Sequence, residues 1–270
     1  HVDVSARYDR IVSQQVSDTQ GTSNRRSDDH ISGRASLLYA LDNGLSPYLS
    51  YSQAITPAML PGADGKPLKP TAAEQVEAGL RFQPPGSRDL YSIAIYDLTQ
   101  KDVATRDPNI ATATYIPAGK VHSQGVELEA KAAVNQNINL TASYTYTDAK
   151  YTDDNTYKGQ RPAEVPRHMA SLWADYTFHE TALSGVTLGA GTRYISSTSS
   201  FYTTGEKTNQ TFEVPSYTLF DATIKYDLAR VGLPGSSIGV NVNNLLDRKY
   251  VSSCYRDYAC YWGSERQSVG

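Results

Sequence analysis

Residues 138–178 read INLTASYTYT (138–147), then a polar run over 148–166, then RHMASLWADYTF (167–178). In the first piece Ile138, Leu140, Ala142, Tyr144 and Tyr146 share one parity, and Asn139, Thr141, Ser143 and Thr145 share the other. A period of two marks a β-strand with one apolar and one polar face. The return piece repeats it, with Ala170, Leu172, Ala174, Tyr176 and Phe178 against Ser171, Asp175 and Thr177. Two strands of about ten residues, apolar outward, polar inward and ending in tyrosines, have the pattern of a transmembrane β-barrel hairpin.

The same hairpin recurs on both sides. Val2, Val4, Ala6 and Tyr8 alternate with Asp3, Ser5, Arg7 and Asp9, and a polar run over about 12–29 is expected to be a long loop. Ile31, Gly33, Ala35, Leu37 and Tyr39 then lead to Asp42-Asn43-Gly44, a tight turn because Asn and Gly tolerate positive φ. Pro47, Leu49 and Tyr51 precede a Pro- and Gly-rich loop over about 56–70, and Val76, Ala78, Leu80 and Phe82 run into Pro84-Pro85-Gly86-Ser87. The strand from Tyr91 loses its phase at Asp97, where a β-bulge is expected. Val126, Leu128, Ala130 and Ala132 turn through Asn135-Gln136-Asn137 into the opening hairpin. Beyond it come Val186, Leu188 and Ala190, a Ser/Thr-rich loop over about 196–214, then Phe220, Ala222, Ile224, Tyr226 and Leu228. Ile238, Val240 and Val242 precede a loop holding both cysteines, and a last strand begins at Glu265. Together these make about twelve strands, with connections alternating short and long. Short turns at one end and long loops at the other belong to an outer-membrane barrel.

The totals narrow the class. In 270 residues the net charge is -3, so no basic field points to nucleic acid. Mean hydropathy is -0.47, and no apolar run approaches the roughly 20 residues of a membrane helix. A barrel strand meets lipid only at every second residue, so low hydropathy is compatible with it. Tyrosine outnumbers phenylalanine by 20 to 5, which suits membrane interfaces and wet binding surfaces. Arg34, Glu77, Arg81, Glu127, Glu129, Lys131, Asp175, Arg193, Asp221, Lys225 and Asp227 all fall on the polar parity. They would line a barrel lumen, or the solvated face of a soluble sandwich. Loop asymmetry and the tyrosine ends favour the barrel.

Several segments, in order, resemble TonB-dependent outer-membrane receptors: LKPTAAEQVEAGLRF (68–82), SQGVELEA (123–130), VPRHMASLWADYTF (165–178), PSYTLFDATIKYDL (215–228) and VNVNNLLDRKYV (240–251). SYTYTDAKYT, YKGQRPAEVP and SCYRDYACYWGSERQ resemble its hydroxamate-siderophore branch, the ferrichrome and ferrioxamine receptors. That family places an N-terminal plug inside a barrel of about 22 strands. Residues 1–270 would then be the C-terminal portion of the barrel, about twelve strands without the plug. His1 opens directly on a strand pattern, so the N-terminus looks cut. The resemblance implies an outer-membrane transporter driven by TonB through the absent plug. Lipid and lipopolysaccharide would surround it, with phage or colicin docking on its loops. A passive porin or adhesin barrel, and a soluble carbohydrate-binding sandwich, are the alternatives.

The implied cargo is a ferric hydroxamate siderophore. Its iron is already wrapped by siderophore oxygens, so no cofactor bound directly by the protein is expected. Recognition needs aromatic walls and a few hydrogen-bond donors. The last loop offers Tyr255, Tyr258, Tyr261 and Trp262, and the Ser/Thr-rich loop adds Phe201 and Tyr202. Cys254 and Cys260 are expected to close a short loop as a disulfide rather than stand as free thiols, which implies an oxidising compartment; the resemblance implies the same pair in the last extracellular loop. Trp173, on the inward parity, is expected to pack rather than touch ligand. His122, His168 and His179 lack metal-ligand spacing, and Asp153-Asp154-Asn155 is expected to be a solvated turn rather than a calcium loop. No catalytic constellation is expected.

Overall fold

Asn43 and Gly44 turn the chain as their chemistry predicts. Asn43 Oδ1 accepts from Leu45 N at 3.1 Å, and Gly44 sits at φ +87°. A Cβ at Gly44 would lie 2.0 Å from the Gln83 carbonyl, so the neighbouring turn requires glycine there. The computed structural model describes residues 1–17, 21–58, 60, 62, 65–106, 115–202 and 210–269. It places twelve strands in one antiparallel sheet. They are β1 (Val2–Ser17), β2 (Thr22–Leu38), β3 (Leu45–Thr56), β4 (Thr71–Phe82), β5 (Leu90–Arg106), β6 (Tyr115–Ala133), β7 (Ile138–Asp153) and β8 (His168–Thr177), followed by β9 (Val186–Ile195), β12 (Tyr217–Asp227), β13 (Ser237–Asn243) and β16 (Gln267–Val269). Two small hairpins stand apart: β10 (Thr198–Phe201) with β11 (Thr211–Val214), and β14 (Val251–Arg256) with β15 (Ala259–Trp262).

The ladders carry the expected parity from strand to strand. Leu80 pairs with Ile93, Ile93 with Leu128, Leu128 with Tyr144 and Tyr144 with Ala170. This face stays open: Val4 is 76% and Ile31 71% exposed. A sandwich would bury that face against a second sheet, whereas a membrane barrel leaves it to hydrocarbon. Aromatic side chains rim it at both levels. Phe82 stacks on Tyr91 and Tyr176 meets Phe178 edge-on near the short turns. At the other level Tyr144 OH bonds His168 Nδ1 at 2.8 Å, and the Tyr146 ring tilts against the same imidazole. These are the girdles of an interfacial barrel band.

The opposite face is polar and laterally bonded. Arg193 forks onto Asp221 at 2.7 and 3.1 Å, Asn139 donates to Asp175, Ser143 bonds Ser171, and Tyr48 donates to Glu77 at 2.6 Å. Trp173 lies here, as expected, flat over Gly189 and Gly191, where a Cβ would come within 2.6 and 2.4 Å of its ring. Tyr48 covers Gly79 and Tyr96 covers Gly125 in the same way. A ring filling the hollow beside a strand glycine restores packing that glycine forfeits.

Three expectations need correction. The polar run over 12–29 is not a loop, because the β1–β2 ladder continues unbroken to Ser17 opposite Thr22. Likewise β6 begins at Tyr115 and β7 runs to Asp153, well past the alternating residues. Above the girdle both faces meet water, so the apolar period stops while the backbone ladder goes on. The second correction concerns Asp97, which keeps register with Val76 and Gln124. It stays on the outer face just above the apolar band, 2.8 Å from His122 Nε2. The irregularity lies between Gln100 and Val103, where Asp102 adopts φ 58°. Third, the Ser/Thr-rich loop contains β10 and β11, and the cysteine loop contains β14 and β15. Such short strands carry too few residues for a period to show. Residues 203–209 of the Ser/Thr-rich stretch lie outside the described ones.

Candidate ligand-binding site at the loop end

The long connections follow β3, β7, β9 and β13 at one end of the sheet, the mouth. The last of them is held at its stem by Asn244, which lies directly beyond β13 and is 3% exposed. Its Nδ2 donates to the carbonyls of Arg248 and Ser264, its Oδ1 accepts from Arg248 N, and its own N–H donates to Asp221 Oδ1 at 2.9 Å. Asn tolerates its φ of 51° better than most residues do. VNVNNLLDRKYV is thus legible as a strand end followed by a loop clamp.

Cys254 and Cys260 are bonded to each other and tie β14 to β15. This hairpin leans on the other loops. Asp257 N donates to the Phe201 carbonyl, Ser253 Oγ to Glu164 Oε1 at 2.7 Å, and Glu164 N to the Ser199 carbonyl. Phe201, 1% exposed, stacks on Tyr157 with ring centroids 4.0 Å apart, and Tyr151 on β7 tilts against Tyr157. Asp154 fixes the turn that presents Tyr157, accepting from Thr156 N at 2.7 Å and Tyr157 N at 2.6 Å. Asp154 Oδ1 thus serves a turn, as expected of it, but its side chain is half-buried against the cleft rather than solvated.

These elements enclose a cleft of about 330 Å³, lined by Tyr115, Tyr151, Asp154, Tyr157, Phe201, Tyr255, Arg256 and Tyr258 among others. Tyr151 continues the inward parity of Asn139 and Thr147, so the cleft opens on the lumen side of the mouth. Its walls are mainly aromatic, and its polar groups are phenols, the Thr105 hydroxyl, one carboxylate and one guanidinium. That chemistry suits a compact ligand with an apolar body and oxygen acceptors. In the loop after β7, burial and the neighbouring Arg167 lower the affinity of the Arg161 guanidinium for its proton.

The structure brings together Phe201, Tyr255 and Tyr258 of the expected residues. Tyr261 and Trp262 sit on β15, 56% and 76% exposed, and do not line the cleft. Tyr202 tilts against Phe212 at 4.9 Å in the β10–β11 hairpin, also outside it. Tyr115, Tyr151, Tyr157 and Arg256 were not singled out from sequence. For Tyr151 a signal existed, since it keeps the phase of β7. Tyr157 and Arg256 lie in loops, where no period indicates direction. His122 and His168 are occupied by Asp97 and Tyr144, and His179 Nε2 lies 2.9 Å from the Gln136 carbonyl.

Known proteins match this fold closely. Residues 1–245 match the family described as TonB dependent receptor-like, beta-barrel. The chain is 45% identical over 268 residues to the ferrichrome outer membrane transporter/phage receptor of Escherichia coli K12, covering 99% of this chain and 35% of that protein. It is 47% identical over 269 residues to the ferrioxamine receptor of Yersinia enterocolitica, covering 98% and 36%. The crystal structure of the siderophore receptor PiuA from Acinetobacter baumannii superposes with a TM-score of 0.76 at 22% identity, covering 99% of this chain and 39% of that one. The chain therefore spans about a third of the length of these relatives. Its lipid-facing parity, its girdles, its loop-bearing mouth and these likenesses agree: the chain belongs to the TonB-dependent receptor β-barrel family of the bacterial outer membrane.

Proposed function

We propose that residues 1–270 form the C-terminal portion of the barrel of an outer-membrane receptor that binds a ferric hydroxamate siderophore at the mouth and imports it with TonB-coupled energy. The observation that carries this is the tyrosine-lined cleft on the lumen side of the mouth, built by the β10 and β14 hairpins and the loop after β7. Relatives named for ferrichrome and ferrioxamine support the ligand class. The iron travels as cargo inside the siderophore. Further strands of the longer receptor close the open edges at β1 and β16, because lipid does not tolerate unpaired backbone. Phe201, Tyr255 and Tyr258 form the wall. Tyr261 and Trp262 stand at the rim, where a bound ligand reaches them, and Tyr202 supports the β10–β11 hairpin. The loops also offer a docking surface to phage, as the name of one relative suggests.

A titration of the intact receptor against iron-loaded hydroxamates and an iron-loaded catecholate tests this, followed by quenching of intrinsic fluorescence. Saturable binding of a hydroxamate that Tyr255→Ala weakens about ten-fold is expected. A receptor that binds only the catecholate, or that conducts small solutes without binding any of them, contradicts it.

A further inference from the structure

Arg256 ends β14 and faces the cleft with its charge unmatched. Three rings surround its guanidinium: Tyr255 at 4.7 Å, Tyr157 at 5.2 Å and Phe201 at 5.3 Å from Cζ to centroid. Rings attract the flat face of a guanidinium and leave its N–H edge unused. Among the described residues no acceptor oxygen bonds that edge. Of the carboxylates in these loops, Asp154 uses Oδ1 to cap the turn at Thr156 and Tyr157, and Glu164 uses Oε1 to accept from Ser253. Arg256 is only half-exposed, and a partly desolvated cation without an oxygen partner is unfavourable until one arrives. The planar fork matches a carboxylate through two parallel hydrogen bonds.

We infer that Arg256 is a specificity-determining residue that selects, among ferric hydroxamates, those carrying a peripheral carboxylate. This rests on the proposed siderophore-binding role of the cleft. The rings hold the guanidinium, its N–H edge takes the carboxylate, and the phenols of Tyr115, Tyr255 and Tyr258 flank the hydroxamate body. Binding then completes the coordination of a charge the fold already holds in place, with little reordering.

The test uses the intact receptor and a matched ligand pair: a linear ferric trihydroxamate with a free terminal carboxylate, and the same molecule as its terminal amide. The carboxylate form is expected to bind at least about ten-fold more tightly than the amide. Arg256→Gln is expected to erase that preference, so that the carboxylate and amide forms bind the variant equally, and Arg256→Lys to restore part of it, since lysine keeps the charge without the fork. Equal affinities in the unaltered receptor, a preference surviving in Arg256→Gln, or an equal loss of both ligands in that variant would each overturn the inference. The last result would make Arg256 a packing residue only. Failure of the unaltered receptor to bind either ligand would instead remove the siderophore role itself.

Discussion

Along β7 the two faces differ as far as Tyr146 and become alike beyond it. From Ile138 to Tyr146 one side is apolar, and the other carries Asn139, Thr141, Ser143 and Thr145. From Asp148 on, both sides are polar or packed on loops, although the strand continues to Asp153. The lower region owes its pattern to hydrocarbon, the upper to water and to other loops. Burial follows the same division. Leu68, Val121, Ala149, Phe201, Val214 and Cys254 are buried at or near the mouth, whereas residues on the outer side of the lipid band are half-exposed or exposed. A membrane sheet thus keeps its close-packed core above the membrane, where a binding site needs fixed walls, and leaves its stability in the band to backbone ladders and lipid.

Substitutions can break that division. The largest effect is expected from Phe201→Ala, because deleting a fully buried aromatic costs about 3–5 kcal/mol. It should loosen the β10 and β14 hairpins, seen as faster amide exchange over 198–202, 210–214 and 251–262, and leave the sheet's unfolding unchanged. Collapse of the whole sheet would mean that mouth and band are one cooperative unit. Next is Leu128→Arg on the outer face of the band, expected to cost about 2–4 kcal/mol in lipid vesicles, whereas Thr99→Arg, on the same face above the girdle, should cost no more than about 1 kcal/mol. Equal costs in urea unfolding would place the upper boundary wrongly. Asn244→Ala removes the stem clamp and is expected to cost roughly 1–3 kcal/mol, felt as faster exchange over 245–263 with β12 unaffected. The smallest effect is expected from Trp262→Ala, which should weaken siderophore binding by about two- to five-fold, less than Tyr255→Ala, because Trp262 is exposed on β15 and does not line the cleft.

Residue parity revealed the sheet and the direction of its faces, while polar runs and turn chemistry marked the long connections after β3, β7, β9 and β13 and wrongly added one over 12–29. Leu80, Ile93, Leu128 and Tyr144 fall into one row on their own phases. It did not reveal where strands end, because periodicity records the medium on each side and not the ladder itself. The run over 12–29 lost its period by leaving lipid and remained β-structure. At the mouth the residue types were readable but their directions were not. Tyr255 and Trp262 belong to the same aromatic loop, yet one lines the cleft and the other faces solvent. Arg256 was hidden for the same reason, since only the meeting of β10, β14 and the loop after β7 puts rings around it.

Spin labels placed one at a time from Leu140 to Asp153 in the reconstituted intact receptor test the central claim most directly, through collision with oxygen and with a water-soluble relaxant. Oxygen access should peak at Leu140, Ala142, Tyr144 and Tyr146, with access of the water-soluble relaxant at Thr141, Ser143 and Thr145. The lipid signal should vanish from Asp148 onward while the strand persists. An absence of alternation below Tyr146, or lipid access continuing at Asp148 and Lys150, would contradict the account.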